Sequence, residues 1–143
     1  MPDDLRRAAV AALSALATSP DHHDRADAGC ALAGLAEVPE AQGPLLDLVL
    51  DSEDTFVTRQ TAAALLRRHD RIGLAIVASA LARADHNHAD WIETAVHDVL
   101  GVFAAERDAA LHEAEALLEE AQGLEHAGLA RLVTGLAGLT PIP

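Results

Sequence analysis

Eight histidines in 143 residues are the first side chains to test for chemistry, because imidazoles and carboxylates together can bind Zn, Ni or Fe. Two clusters stand out, His22-His23-Asp24 and Asp85-His86-Asn87-His88, each close ahead of an apolar periodic stretch where a turn is expected. Turn histidines of this kind are commonly solvated or serve as helix caps. No two histidines stand at i and i+4, the spacing that aims two rings from one helix face at one ion, and no HExxH occurs. No metal and no other cofactor is therefore expected.

Nucleophilic chemistry has as little foothold. Cys30, the only cysteine, follows Gly29 in an Ala-rich stretch, where a small thiol is expected to pack in the core rather than meet a base. Ser14, Ser19, Ser52 and Ser79 lie in no GxSxG context. Glu113 with Glu115, and Glu119 with Glu120, read as a solvated helix face, since paired acids do no acid–base work without a pocket. Gly123, Gly128, Gly135 and Gly138 fit neither GxGxxG nor GxxxxGK[ST] and are expected to end or loosen a helix. Arg67-Arg68 with Arg71 is the one local basic cluster. At a helix C-terminus it complements the dipole, and docking of an acidic peptide or a phosphate is the other use open to it. The chain reads as a protein without catalytic residues, not an enzyme.

Composition narrows the partners. All 10 cations are arginine, and against 23 acids they leave a net charge of −13. Nucleic-acid binders draw most of their affinity from cations that neutralise phosphates, so a basic protein or peptide suits this chain better than nucleic acid. A single cysteine excludes an internal disulfide and a Cys-rich zinc framework, and fits a reducing, cytoplasmic compartment. Neither a signal-peptide pattern at Met1-Pro2-Asp3-Asp4 nor an apolar run near 18 residues is found, so no membrane role is expected. At 50% hydrophobic residues the chain is too apolar for a disordered acidic tail, and its length fits one domain over 1–143.

Ala and Leu recur at three- and four-residue spacing, aromatics make up 2% and β-branched runs are missing, which predicts an all-α fold. Breaks at Pro, Gly and Asp-rich turns divide the chain into about seven helices, over 3–17, 23–36, 41–50, 54–68, 71–84, 88–103 and 107–122, with a weak further segment over 125–138. The segments repeat. Asp21 through Leu32 slides onto Asp54 through Leu65 at an offset of 33 residues, and Val57 onto Ile92 at 35. Each unit opens on an Asp-rich turn able to cap amide N–H groups. A helix with paired small residues follows: Ala28-Gly29 with Ala31-Leu32, then Thr61-Ala62 with Ala64-Leu65. Val57, Thr61, Ala64 and Leu65 are predicted to share one helix side as a narrow packing seam.

This pattern resembles HEAT repeats, of the short kind found in phycobilisome-lyase-related and many bacterial proteins, over about residues 21–122. Arg25 holds the arginine slot of the first unit. Thr58 replaces it in the second, beside Arg59, and Ile92-Glu93 departs further in the third. The resemblance implies a short right-handed α-solenoid of antiparallel helix pairs, in the armadillo-like class. Residues 1–20 would form an N-terminal cap, 21–53, 54–87 and 88–122 the repeats, and 123–143 a C-terminal cap. It also implies a concave partner-binding face on 41–50, 71–84 and 107–122.

On that face the residues expected to meet a partner are Arg71, Leu74, Ala78, Asp108, His112, Glu115 and Glu119. The last four form an acidic stripe at i, i+4, i+7 and i+11. The helix over 71–84 has two apolar stripes and is expected to be buried all round, or else to expose one of them on the concave face. Trp91 is expected to pack in the core. The functional expectation is a non-catalytic protein-interaction module for a basic or amphipathic segment. Two readings stand beside it: a metal-binding protein or enzyme using the His-rich turns, and a structural subunit pairing as a homodimer through the leucines of 124–139.

Overall fold

The computed structural model describes all 143 residues, as eight α-helices with no strand. In chain order they are α1 (Asp3–Leu16), α2 (His22–Ala33), α3 (Pro39–Val49), α4 (Thr55–Leu66), α5 (Arg71–Arg83), α6 (His86–Leu100), α7 (Ala104–Glu120) and α8 (Gly123–Ala137). Four of them start on an aspartate. Asp21, Asp54, Asp70 and Asp85 each accept a hydrogen bond, at 2.8–2.9 Å, from the backbone N–H of His23, Phe56, Gly73 and His88 respectively. Each such cap satisfies an amide that the helix itself cannot and contributes about 1 kcal/mol. Pro39 opens α3, where a missing N–H costs nothing.

The side-by-side order of helices follows the chain. α2 packs on α4 and α4 on α6, while α3 packs on α5 and α1 lies against α2 and α3. Small residues let these helices approach closely: a side chain at Gly29 on α2 would collide with Thr61 on α4. Val57, Thr61 and Leu65 are fully buried in that seam, with Ala64 only half-buried at its edge. Thr58 and Thr61 are both buried with hydroxyl oxygens that have no hydrogen-bond partner.

The eighth helix corrects the expectation of about seven. Gly128 does not loosen it; a side chain there would strike the Ala78 carbonyl of α5, so the glycine serves close contact between two helices. α8 packs on α5 along its length and also on α7, with Leu129, Leu132 and Leu136 buried. Its start is set by Gly123, whose φ of +60° turns the chain sharply after α7. Beyond α8 the tail pairs with the α6–α7 loop: the Ile142 N–H donates to the Val102 carbonyl and the Ala104 N–H to that of Ile142, both at 2.8 Å. No helix is long and apolar enough to cross a membrane.

Polar side chains lash the loops together. Arg25, almost wholly buried, forks onto Asp51 of the α3–α4 loop (2.9 and 3.2 Å) and donates to the Ser19 and Pro20 carbonyls of the α1–α2 loop. Arg68 binds Asp70 and Glu37 and reaches the Ala33 carbonyl at the end of α2. Arg107 donates to the Leu136 and Leu139 carbonyls, closing the C-terminal end of α8. Where the second unit lacks its arginine, His88 bridges instead, with Nε2 2.6 Å from the Asp51 carbonyl and Nδ1 2.8 Å from Asp85. Both neighbours are acceptors, so the doubly protonated ring is the form that satisfies both contacts. The Asp51 carbonyl raises the His88 pKa first, burial opposes it, and Asp85 adds to the rise.

Candidate partner-binding groove

A groove of about 650 Å³ runs between α3, α5, α7 and the start of α8. Its floor is apolar, formed by Leu46 of α3, Ile72, Ala75 and Ile76 of α5, and Leu117 and Leu129 from the last two helices. Helix geometry explains why this side of α5 stays open. Gly73, Leu74, Val77, Ala80 and Leu81 face the core, leaving Ile72 half-buried and Ala75 exposed on the opposite flank. The helix is thus neither buried all round nor fully striped, but open along one margin. Glu120 and Glu125 stand at the rim, and no ion pair engages either of them.

Arg71 lies at the groove's edge, where its Nε donates to Glu113 of α7 at 2.5 Å. Glu113, first through that bond and then through its charge, raises the Arg71 pKa, and Glu120 adds to the effect. On the other side of this pair lies a second hollow of about 460 Å³, between the ends of α4 and α6, Leu74 of α5 and the first half of α7, floored by Leu66, Leu74, Leu100 and Ala109 and edged by His112. His69, in the left-handed region at φ 54°, turns the chain from α4 into α5 beside it.

The residues singled out from sequence divide into three sets. Arg71 borders the groove. Leu74 and Ala78 are 4% and 1% exposed and packed within the chain, Ala78 beneath Gly128, yet Leu74 lines the smaller hollow and Ala78 the larger. Asp108, His112, Glu115 and Glu119 are all exposed on α7, but at about 100° per residue their stripe points away from the flank of Glu113, Leu117 and Glu120 that lines the hollows. Only His112, at the stripe's border, reaches one of them. The acids that do line the hollows, Glu113 in the smaller and Glu120 and Glu125 in the larger, were legible only as part of a generally acidic helix and turn.

Other expectations change with the fold. Cys30 is exposed rather than in the core, because Ala28, Gly29 and Leu32 take the packed side of α2 and turn position 30 outward. Partial burial and then Asp27 push its thiol pKa up, against Arg67. Trp91 is half-buried at the edge of α6, with the Arg59 guanidinium 5.8 Å from its ring and held by Asp98 at 2.7 Å. His22 and His23 meet at 4.1 Å with their rings tilted by 37° and meet Phe56 edge-on, while His88 is occupied with Asp85 and Asp51. No three His, Cys, Asp or Glu side chains converge in an arrangement able to hold a metal ion. The leucines foreseen for a homodimer are largely spent inside the chain, leaving Leu124 exposed. Comparison with protein-family models and with curated proteins finds no match for this chain.

Proposed function

We propose that this chain is a short HEAT-like α-solenoid acting as a non-catalytic interaction module, and that it takes a basic, amphipathic protein segment in the groove between α3, α5, α7 and α8. The observation that carries this reading is the joining of an apolar floor to two rim carboxylates, Glu120 and Glu125, neither of which makes an ion pair, Glu120 facing only the already paired Arg71 at longer range. An apolar face on the partner gains contact area there, and its cations gain the two unpaired acids. The succession of α2, α4 and α6, the aspartate caps and the 33-residue offset support the solenoid reading.

Binding of a 16-residue amphipathic Leu/Lys helical peptide, followed by fluorescence anisotropy, tests the proposal. The double reversal Glu120→Lys with Glu125→Lys is expected to weaken binding by about tenfold or more, two close charge pairs each being lost and turned repulsive. Reversing Glu115 and Glu119 on the far side of α7 is expected to slow association without matching that loss. Equal losses from both double variants, or no binding at all, would remove the groove from consideration.

A further inference from the structure

Resting on that reading, we infer that the occupant is an α-helix with two apolar anchors about eleven residues apart and an Arg or Lys between them, which takes Glu113 over from Arg71. Three observations lead there. The two hollows sit on either side of one ion pair: Arg71 borders the larger, Glu113 borders the smaller, and the two side chains meet between them. That pair is half-exposed, at 50% and 38%, so its partners exchange with little desolvation cost.

The floor also dictates the conformation of what binds. The walls of both hollows are helices and helix ends, so no strand edge is on offer. Gln42 and Ser79 are the only neutral polar side chains lining the larger hollow, and the Ser79 hydroxyl already accepts from Arg83 at 2.6 Å. An extended segment pressed into the cleft would leave its peptide groups unsatisfied, whereas a helix satisfies them internally.

Spacing follows from α7 itself. Its residues lining the smaller hollow centre near Ala109 and those lining the larger near Glu119, roughly 15 Å apart at the helical rise. On a bound helix, positions i and i+11 lie on one face about 16 Å apart, with i+4 and i+7 between them on the same face. A cation at i+4 or i+7 then falls opposite Glu113.

The test uses Ala/Gln-based helical peptides of 18 residues carrying Leu at positions 3 and 14 and Arg at 7 or 10, against a peptide of the same composition with the second Leu moved to position 9. Affinity is read by anisotropy for the wild type, Arg71→Gln and Glu113→Gln. Arg71→Gln frees Glu113 and is expected to tighten binding about threefold, while Glu113→Gln weakens it by a similar factor and abolishes the preference for Arg over Gln at the central position. Moving the second Leu is expected to weaken binding at least tenfold, the worth of one buried leucine. Peptides that bind with sensitivity to Glu120→Lys and Glu125→Lys, but with no response to Arg71→Gln or to the Leu spacing, would overturn the two-anchor helix and leave the groove reading standing. Peptides insensitive to Glu120→Lys and Glu125→Lys would overturn both. Circular dichroism of each variant, expected to match the wild type, guards against loss through misfolding.

Discussion

Thr58 occupies in the second unit the helix position that Arg25 holds in the first, and the two residues illustrate opposite ways of burying polarity. Arg25 finds a carboxylate and two carbonyls, whereas the Thr58 hydroxyl finds nothing. Thr58→Val keeps the shape and removes an unsatisfied group, so urea unfolding is expected to show a gain of about 1 kcal/mol. Arg25→Ala strands the Asp51 carboxylate, which is only 10% exposed, and is expected to cost about 3 kcal/mol by the same measurement. His88 makes the third case, with a titratable bridge. Its pKa is raised, so the stability it adds is complete below the ordinary histidine value and is lost as pH rises through the folded one. The stability advantage of wild type over His88→Gln should therefore be full below the ordinary histidine pKa and shrink as pH rises beyond it. Parallel pH curves for the two proteins would show that the bridge does not hold its proton. Asp70 has the opposite sign: burial resists its ionisation, but Arg68 and the Gly73 N–H outweigh it and keep the carboxyl low, so its contribution fades in acid.

Helices were readable from the chain where local signals decide them and obscure where distant neighbours do. Asp21, Asp54, Asp70 and Asp85 announce helix starts because a cap acts within three residues. Gly128 reads locally as a helix weakener; its real role depends on Ala78, fifty positions earlier, which no local signal contains. Gly128→Val is accordingly expected to cost 2–3 kcal/mol through overpacking, roughly the upper range for such changes. It should speed amide exchange in α8 while leaving α2 and α4 protected. α7 hid the groove's acids for a related reason. It carries carboxylates on two flanks, Asp108, Glu115 and Glu119 on one and Glu106, Glu113 and Glu120 on the other, so periodicity alone does not say which flank meets α5. Cys30 was misplaced by the same ambiguity, since in an Ala-rich helix the small residues do not mark which side is packed.

At the scale of the whole molecule the net charge of −13 surrounds the groove with a field that attracts cations before contact. The association rate of the Leu/Lys peptide should fall severalfold between about 20 mM and about 300 mM salt, as the screening length drops below the distance over which that field steers. A rate indifferent to salt would show that encounter is not charge-guided. The same layout sets how the molecule can be watched coming apart. Trp91 is the sole indole and the chain has no tyrosine, so near-ultraviolet emission comes from one spot, the flank of α6 under the guanidinium that α4 extends across it. That flank faces α4, while α7 and α8 meet α6 elsewhere, among other places where Arg131 pairs with Glu93. If α7 and α8 let go first, far-ultraviolet ellipticity will decline before the emission changes, and the gap between the two curves will measure how tightly those two helices are coupled to the α4–α6 contact.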